Sequence, residues 1–329
     1  MADLILMQDA PYRLSSVRLQ SSHRRDRIFR RVTFASAAFV LALFAGVLWT
    51  LISGAWLSLR TFGLSFLWTQ AWNPVTEKFG ALAPIYGTII TSLLAMLIAV
   101  PVAIGIAIFL TELCPRSLRR PIGITVELLA GIPSIIYGIW GFFALAPALQ
   151  QSAMPGIIAA VANVPGLSSL FDAPAYGISV FTAGLILSVM ILPFISAITR
   201  DVFETVPSVL TEAAYGLGAT RWEVLWNVVL PYSRGGVVGG LMLGLGRALG
   251  ETMAVTFVIG NAHRILPSLF APGTTISATI ANEFSEATGD LYPAALIELG
   301  LILFLLTFLV LGAAQYMLYR LERRAGTRT

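Results

Sequence analysis

Two ionisable residues of opposite charge lie inside an apolar, glycine-rich stretch of the sequence. Arg247 and Glu251 are four residues apart, a spacing that puts two side chains on one face of an α-helix. A guanidinium offers several hydrogen-bond donors and a permanent positive charge, which suits an anion with several oxygen atoms. Two interpretations stay open: a structural ion pair, or a polar path for an anion. Because charges in membrane-type segments are usually functional, we favour the path.

Two further glutamates occur in apolar segments. Glu127 is either an additional partner for Arg247 or a residue that faces water at the edge of its segment, and we keep it as a candidate path residue. Glu298 stands near one end of the last apolar segment. We expect it to be solvated there and leave it out of the candidate site.

A second candidate site lies in the polar stretch of residues 200–235, which contains the string TEAAYGLGATRWEVLWNVVLP. The glycine at Gly218 predicts a break between two short helices. Thr220 and Glu223 have the spacing of a capping box at the start of the second helix, and Pro231 is expected to end the unit. Two interpretations stay open: a helix pair on the lipid surface, anchored by tryptophans, or a helix–turn–helix knob for a partner protein.

Several catalytic sites are excluded by residues that the sequence lacks. Lys78 is the sole lysine and precedes Phe79, so the P-loop pattern, which needs Lys followed by Ser or Thr, is absent. Cys114 is the sole cysteine, which excludes an internal disulfide and a multi-cysteine metal site. His23 and His263 are far apart. We therefore expect no cofactor, no metal and no ATP hydrolysis by a P-loop of this chain.

The elements that must position these residues are membrane helices. Of the 329 residues, 57% are hydrophobic and 12% are charged, whereas soluble domains have about 25% charged residues. A membrane span needs about 20 mainly apolar residues. The expected fold is all-α and transmembrane, with six helices. The spans are expected at Val32–Leu59, Tyr86–Leu113, Ile122–Leu149, Tyr176–Thr199, Gly236–Gly260 and Pro293–Tyr319.

The arginines predict the orientation of the chain. Seventeen of the twenty-one basic residues fall before the first span, in the even-numbered loops, or in the tail. The positive-inside rule then puts both termini in the cytoplasm. This gives a basic cytoplasmic segment (1–31), a six-span transmembrane domain (32–319) and a cytoplasmic tail (320–329). The arginines from Arg24 to Arg31 are expected to meet anionic lipid, not nucleic acid.

Glycines recur every four residues in the fifth span, at Gly236, Gly240 and Gly244. Such small-residue stripes favour close helix–helix packing in lipid. Packing within the chain and packing against a second subunit both stay open.

The loop before the fifth span resembles the EAA motif of the ABC importer permeases. The matching residues are Glu212, Ala213, Ala214, Gly218, Val228, Leu230 and Pro231. The one departure is Val228 in place of isoleucine. In that family the loop carries a coupling helix that docks into a groove of the ATPase subunit, so the resemblance favours docking over lipid anchoring.

Two longer stretches, Asn73–Leu113 and Gly244–Asn261, resemble PstC-type phosphate permeases. This resemblance implies the type I ABC importer (MetI-like) fold, a bacterial inner membrane and a phosphate path through Arg247 and Glu251. It also implies a second permease (PstA-like), a cytoplasmic ATPase dimer (PstB-like) and an external phosphate-binding protein (PstS-like). A permease for sulfate, molybdate or another oxyanion is the alternative, followed by a stand-alone secondary carrier.

Overall fold

The computed structural model describes residues 16–172 and 174–326, with side chains described for residues 25–172 and 174–320. The described backbone is helical apart from its loops and an antiparallel bridge between Asn73 and Lys78. In chain order the helices are α1 (Ser16–Phe62), α2 (Ser65–Trp68), α3 (Leu82–Ile108), α4 (Arg116–Ala130), α5 (Ser134–Trp140), α6 (Ala146–Ala148), α7 (Met154–Val161), α8 (Leu167–Leu170), α9 (Val180–Glu204), α10 (Ser208–Gly216), α11 (Arg221–Val224), α12 (Leu230–Gly250), α13 (Met253–Val258), α14 (Ile276–Glu283) and α15 (Leu291–Gly326). Single π-helical turns occur at Phe109–Leu113, Gly141–Leu145, Leu149–Ala153 and Leu225–Val229.

Six helical segments within the described ranges are long and apolar enough to cross a membrane. They are Arg25–Phe62, Leu82–Leu113, Ser134–Val161, Val180–Glu204, Arg221–Leu249 and Leu291–Arg320. The number of spans expected from the sequence is confirmed. The first, second, fourth and sixth overlap their expected positions, with ends that differ by up to seven residues.

The third span is displaced along the chain from its expected position. The expected span Ile122–Leu149 contains the break Gly131-Ile132-Pro133, where α4 ends and α5 begins. Proline lacks the N–H needed to continue a helix and restricts the residue before it, so the helix stops there. The expectation is therefore wrong: the span begins at Ser134, and the arginine-rich α4 is a separate helix.

The chain divides into two compact units, residues 1–53 and 54–329. In the first unit the described residues form a single helix whose apolar side chains, including Phe34 and Trp49, are largely exposed. An apolar surface of this kind is what a helix in contact with lipid presents. The second unit holds the remaining helices.

Helix α9 forms the centre of the second unit. Ser179 caps its start by accepting a hydrogen bond from the backbone N–H of Thr182, and its apolar side chains pack against α3, α12 and α13. The fully buried residues of α9 include Ile186, Leu187, Met190, Ile191 and Ile195. Functional residues on the helices around α9 are therefore held by a closely packed core.

The glycine stripe of α12 packs against α9 in the same chain. A Cβ atom placed on Gly236, Gly240 or Gly244 would lie less than 3 Å from an α9 side chain. The opposing residues are Val202, Ile198 and Ile195, at 2.6, 2.9 and 2.7 Å. The structure thus decides between the two interpretations in favour of packing within the chain.

Candidate functional site

The loop that carries the EAA-like motif folds as a helix–turn–helix, as predicted. Helix α10 ends at Gly216, and Gly218 adopts a φ of +87°, a conformation that favours glycine. The Thr220 hydroxyl then accepts a hydrogen bond from the Glu223 N–H, and the Glu223 carboxylate accepts one from the Thr220 N–H. This is the predicted capping box, and it fixes the start of α11.

The second helix of this loop does not end at Pro231, contrary to the expectation from the sequence. It continues from α11 through the π-helical turn Leu225–Val229 directly into α12. Pro231 lies in the first turn of α12, immediately after the wider π turn, where the missing N–H is tolerated. The loop and the fifth span are therefore one continuous helix that begins at Arg221, and the expected start of that span at Gly236 is wrong.

The loop has one anchored side and one exposed side. Val224, Leu225 and Val229 are buried against Ala107 and Phe203, at the ends of α3 and α9. On the other side Leu217 is 91% exposed, and the rings of Trp222 and Trp226, which pack edge to face, are also exposed. The spacing of Trp222, Trp226 and Val229 would put them on one face of a regular α-helix, but Val229, in the π turn, lies on the buried side.

The helix–turn–helix formed by α10 and α11 is an exposed knob. The motif residues lie in this knob and at the start of α12. Glu212, Ala213, Gly218 and Pro231 are exposed, whereas Ala214 and Leu230 are partly buried. The motif therefore presents its glutamate and its turn to solvent while Ala214 and Leu230 contact the body of the chain. Such a surface is able to contact another protein.

Arg247 lies in the last turn of α12 and is exposed on the chain. Its guanidinium carbon is 4.4 Å from the centroid of the Phe194 ring, a cation–π contact with α9. The side chain also borders a cavity of about 770 Å³ between α9, α12 and α15, whose other lining residues include Ile198, Leu243, Thr307 and Gln315. Among the residues whose side chains are described, no carboxylate forms an ion pair with Arg247.

Glu251 does not share a helix face with Arg247, so the i, i+4 arrangement expected from the sequence is wrong. Helix α12 ends at Gly250, and Glu251 has an extended backbone with ψ of 131°. Its carboxylate accepts a long hydrogen bond of 3.4 Å from the N–H of Ala254, at the start of α13. The expected continuation of this span to Gly260 is also wrong, because the helix breaks here inside the apolar stretch.

Glu127, on α4, forms an ion pair with an arginine that the sequence analysis used only for orientation. Its carboxylate lies 2.8 Å from the Arg200 guanidinium, which also contacts Asp201 at 2.8 Å. A Cβ on Gly123 would lie 2.9 Å from that guanidinium, so the bare backbone gives Arg200 room to reach Glu127. The structure gives Glu127 this partner instead of Arg247.

Glu298 is buried, and the expectation that it is solvated is wrong. It is 3% exposed on α15, and Ser58 on α1 is fully buried. The Ser58 hydroxyl and one Glu298 carboxylate oxygen have no hydrogen-bond partner among the described residues. Hydropathy located the end of the span but gave no information about which face of α15 packs inward.

A partly buried polar cluster, of which only Tyr292 belongs to a span, had no signal in the sequence. The Glu283 carboxylate accepts hydrogen bonds from the Trp72 indole and the Tyr292 hydroxyl, both at 2.6 Å, and pairs with His263 at 2.8 Å. Burial raises the pKa of the Glu283 carboxyl, but the hydrogen bonds from His263, Tyr292 and Trp72 outweigh it, and the net pKa lies below its ordinary value. The four residues come from separate segments, so only the fold brings them together.

Comparison with known proteins identifies the family. Residues 99–323 match the binding-protein-dependent transport system inner membrane component family. The chain is 66% identical over 301 residues to the phosphate transport system permease protein PstC of Mesorhizobium japonicum, with 92% of each chain covered. The chain belongs to the PstC family. It is also 56% identical over 304 residues to PstC of Pasteurella multocida, covering 92% of this chain and 95% of that one.

The fold of this PstC-family chain is found in a solved transporter. A chain of the crystal structure of a bacterial alginate ABC transporter, in complex with an alginate-bound periplasmic protein, matches with a TM-score of 0.62 at 17% identity. The match covers 92% of this chain and 98% of that one. The predicted six-span, type I ABC importer fold is confirmed, and the chain is a multi-pass membrane protein of the permease class.

Proposed function

We propose that this chain is a permease subunit of an ATP-driven importer of inorganic phosphate. The observation that carries the proposal is Arg247, a guanidinium with no carboxylate partner among the described residues, at the edge of a cavity within the membrane-spanning helices. A charge in such a place costs about 2.5–3.5 kcal/mol on insertion scales, so a purely structural role would need a compensating partner. The names of the PstC relatives support phosphate as the anion.

Arg247 would attract phosphate by charge and by several donated hydrogen bonds. Its contact with the Phe194 ring holds the side chain at the cavity edge without neutralising it. Glu251 and Glu127 remain proposed path residues. A carboxylate near the path repels an anion and keeps its affinity low enough for release, since conduction needs binding that is weak enough to reverse.

The path is completed by a second permease of the PstA type. The cavity beside Arg247 is lined mainly by apolar side chains and glycines of α9, α12 and α15, and Leu243 on its wall is 66% exposed. A surface this apolar is suited to a neighbouring helix of another subunit. Phosphate would then pass between the two permeases.

Energy is supplied by a separate ATPase dimer of the PstB type. We propose that it docks on the knob formed by Glu212, Ala213, Ala214 and Gly218, with Leu230 and Pro231 joining the knob to the fifth span. The chain then lies in the bacterial inner membrane with both termini in the cytoplasm, where its arginines meet anionic lipid. A PstS-type binding protein delivers phosphate on the other side, and nucleic acid has no part.

The test is uptake of radiolabelled phosphate by vesicles that contain the reconstituted four-component transporter, with sulfate as competitor. We expect Arg247→Ala to lower uptake by roughly a hundredfold, because a hydrogen-bonded charge partner of the anion is lost, while the complex still assembles. Arg60→Ala is the matched control, because Arg60 also lies over an aromatic ring, that of Trp56, at 5.2 Å. Undiminished uptake by Arg247→Ala, or equal inhibition by sulfate, would contradict the proposal.

A further inference from the structure

A second charged pocket, of about 330 Å³, lies between α4 and the C-terminal end of α9. Its charged lining residues are Arg116, Arg119, Arg120, Arg200, Glu127 and Glu204. The three arginines of α4 belong to the basic residues that predict the orientation of the chain in the membrane. The positive-inside rule does not require them to line one pocket, as they do here.

The sequence of α4 explains how the arginines converge. Arg116, Arg119, Arg120, Gly123 and Glu127 follow one another at helical spacing, and therefore lie on one face of the helix. On the rest of the helix apolar side chains are exposed, among them those of Leu118 and Leu128. An amphipathic helix with arginines on its polar face is typical of a membrane surface.

The positive charge of this pocket is only partly compensated. Arg200 is engaged by Glu127 and Asp201, so one oxygen of the Glu127 carboxylate is already paired. Arg116 and Arg120 form no ion pair among the described residues.

Arg119 adds an unsatisfied donor. One of its terminal nitrogens donates to the Thr111 carbonyl, but its Nε is buried without a partner among the described residues. A buried N–H of this kind is costly unless an acceptor is supplied.

We propose that this pocket binds a phosphate group, carried either by the headgroup of an anionic phospholipid or by inorganic phosphate. The planar guanidinium matches the oxygen geometry of a phosphate and forms paired hydrogen bonds with it. Basic pockets between membrane helices on the cytoplasmic side are known sites for such headgroups. The inorganic phosphate source rests on the proposed function, whereas the lipid source does not.

The experiment measures binding to the purified, delipidated transporter complex. One arm titrates phosphatidylglycerol and counts the bound lipid by native mass spectrometry. The other arm measures binding of radiolabelled inorganic phosphate in an Arg247→Gln background, which removes the proposed path site. We expect Arg116→Gln combined with Arg120→Gln to lower the affinity for one of these two ligands by about tenfold or more, because charge-assisted hydrogen bonds are lost.

Two matched variants keep the result interpretable. Arg116→Lys combined with Arg120→Lys keeps the charge but loses the planar guanidinium, and should bind more tightly than the glutamine variant and less tightly than the unchanged protein. Arg320→Gln removes an arginine of α15 that lies over the Tyr316 ring, outside the pocket, and should change neither arm. Loss in the lipid arm assigns the pocket to a headgroup, and loss in the phosphate arm assigns it to free phosphate.

Unchanged binding of both probes by the double glutamine variant would overturn the inference. An equal loss of binding in the Arg320→Gln control would also overturn the inference, because the loss would then follow from the lower positive charge of the protein and not from the pocket. Binding is measured without transport, so a complex that binds at this pocket but imports no phosphate would contradict the proposed function alone.

Discussion

The continuous helix from Arg221 to Gly250 has two ends that are held in different ways. At its start, the Thr220–Glu223 capping box satisfies the first backbone N–H groups with residues three positions apart. At its end, the Glu251 carboxylate accepts a hydrogen bond of 3.4 Å from the Ala254 N–H, and Arg247 contacts the Phe194 ring of another helix. The start is thus fixed by a local capping box, whereas Arg247, near the end, is held by a contact with the neighbouring helix α9.

This difference matches the proposed tasks of the two ends. A docking knob must keep its shape while it is exposed to water, and the capping box together with the burial of Val224, Leu225 and Val229 provides that shape. A substrate contact must stay available, and an arginine without a carboxylate partner keeps its charge for the anion. Substitutions at the start of the helix should therefore affect coupling to the ATPase, whereas substitutions towards its end should affect the packing that supports Arg247.

Gly218→Val is expected to have the largest effect. A β-branched residue at a φ of +87° costs about 1–2 kcal/mol of backbone strain, and relieving that strain would distort the turn between α10 and α11. We expect phosphate uptake to be lost while the rate of ATP hydrolysis by the complex no longer responds to the loaded binding protein. Gly216→Val is the control, since Gly216 ends α10 in open space without a positive φ. Normal assembly and uptake in Gly218→Val would refute the docking role of the knob.

Gly244→Val tests the spatial support of the other end and should have the next largest effect. Its new side chain would meet Ile195, which lies 2.7 Å from the Cβ position, so we expect a loss of about 1–3 kcal/mol in stability from overpacking. The measurement is thermal unfolding of the purified complex. Gly105→Val, on α3 with no atom within 4 Å of the Cβ position, should lower stability much less. Equal losses of stability in the two variants would show that close packing of α12 against α9 is not the cause.

Thr220→Ala should have the smallest effect of the three. Removing the cap costs about 0.5–2 kcal/mol of local helix stability, and we expect faster amide hydrogen exchange in α11 while exchange in the second half of α12 is unchanged. Thr211→Ala is the control, since that hydroxyl donates within α10 to the Ser208 carbonyl and caps no helix start. Faster exchange as far as Gly250 would show that the two ends are not independently held.

The same contrast explains what sequence reasoning was able to predict. The capping box, the Gly218 turn and four of the spans were predicted at the right positions, because each depends on residues close together in the chain. The Arg200–Glu127 ion pair, the burial of Glu298 and the exit of Glu251 from the helix were not predicted. Each of these depends on which face of a helix packs against another, and in a chain this apolar, hydropathy does not distinguish a face in contact with lipid from a face in contact with protein.

The π-helical turn at Leu225–Val229 has a mechanical consequence. One additional residue in that turn rotates everything after it by about 100° relative to an uninterrupted α-helix. The tryptophans of the knob and Arg247 belong to one continuous helix, so the angle between them is set by this turn.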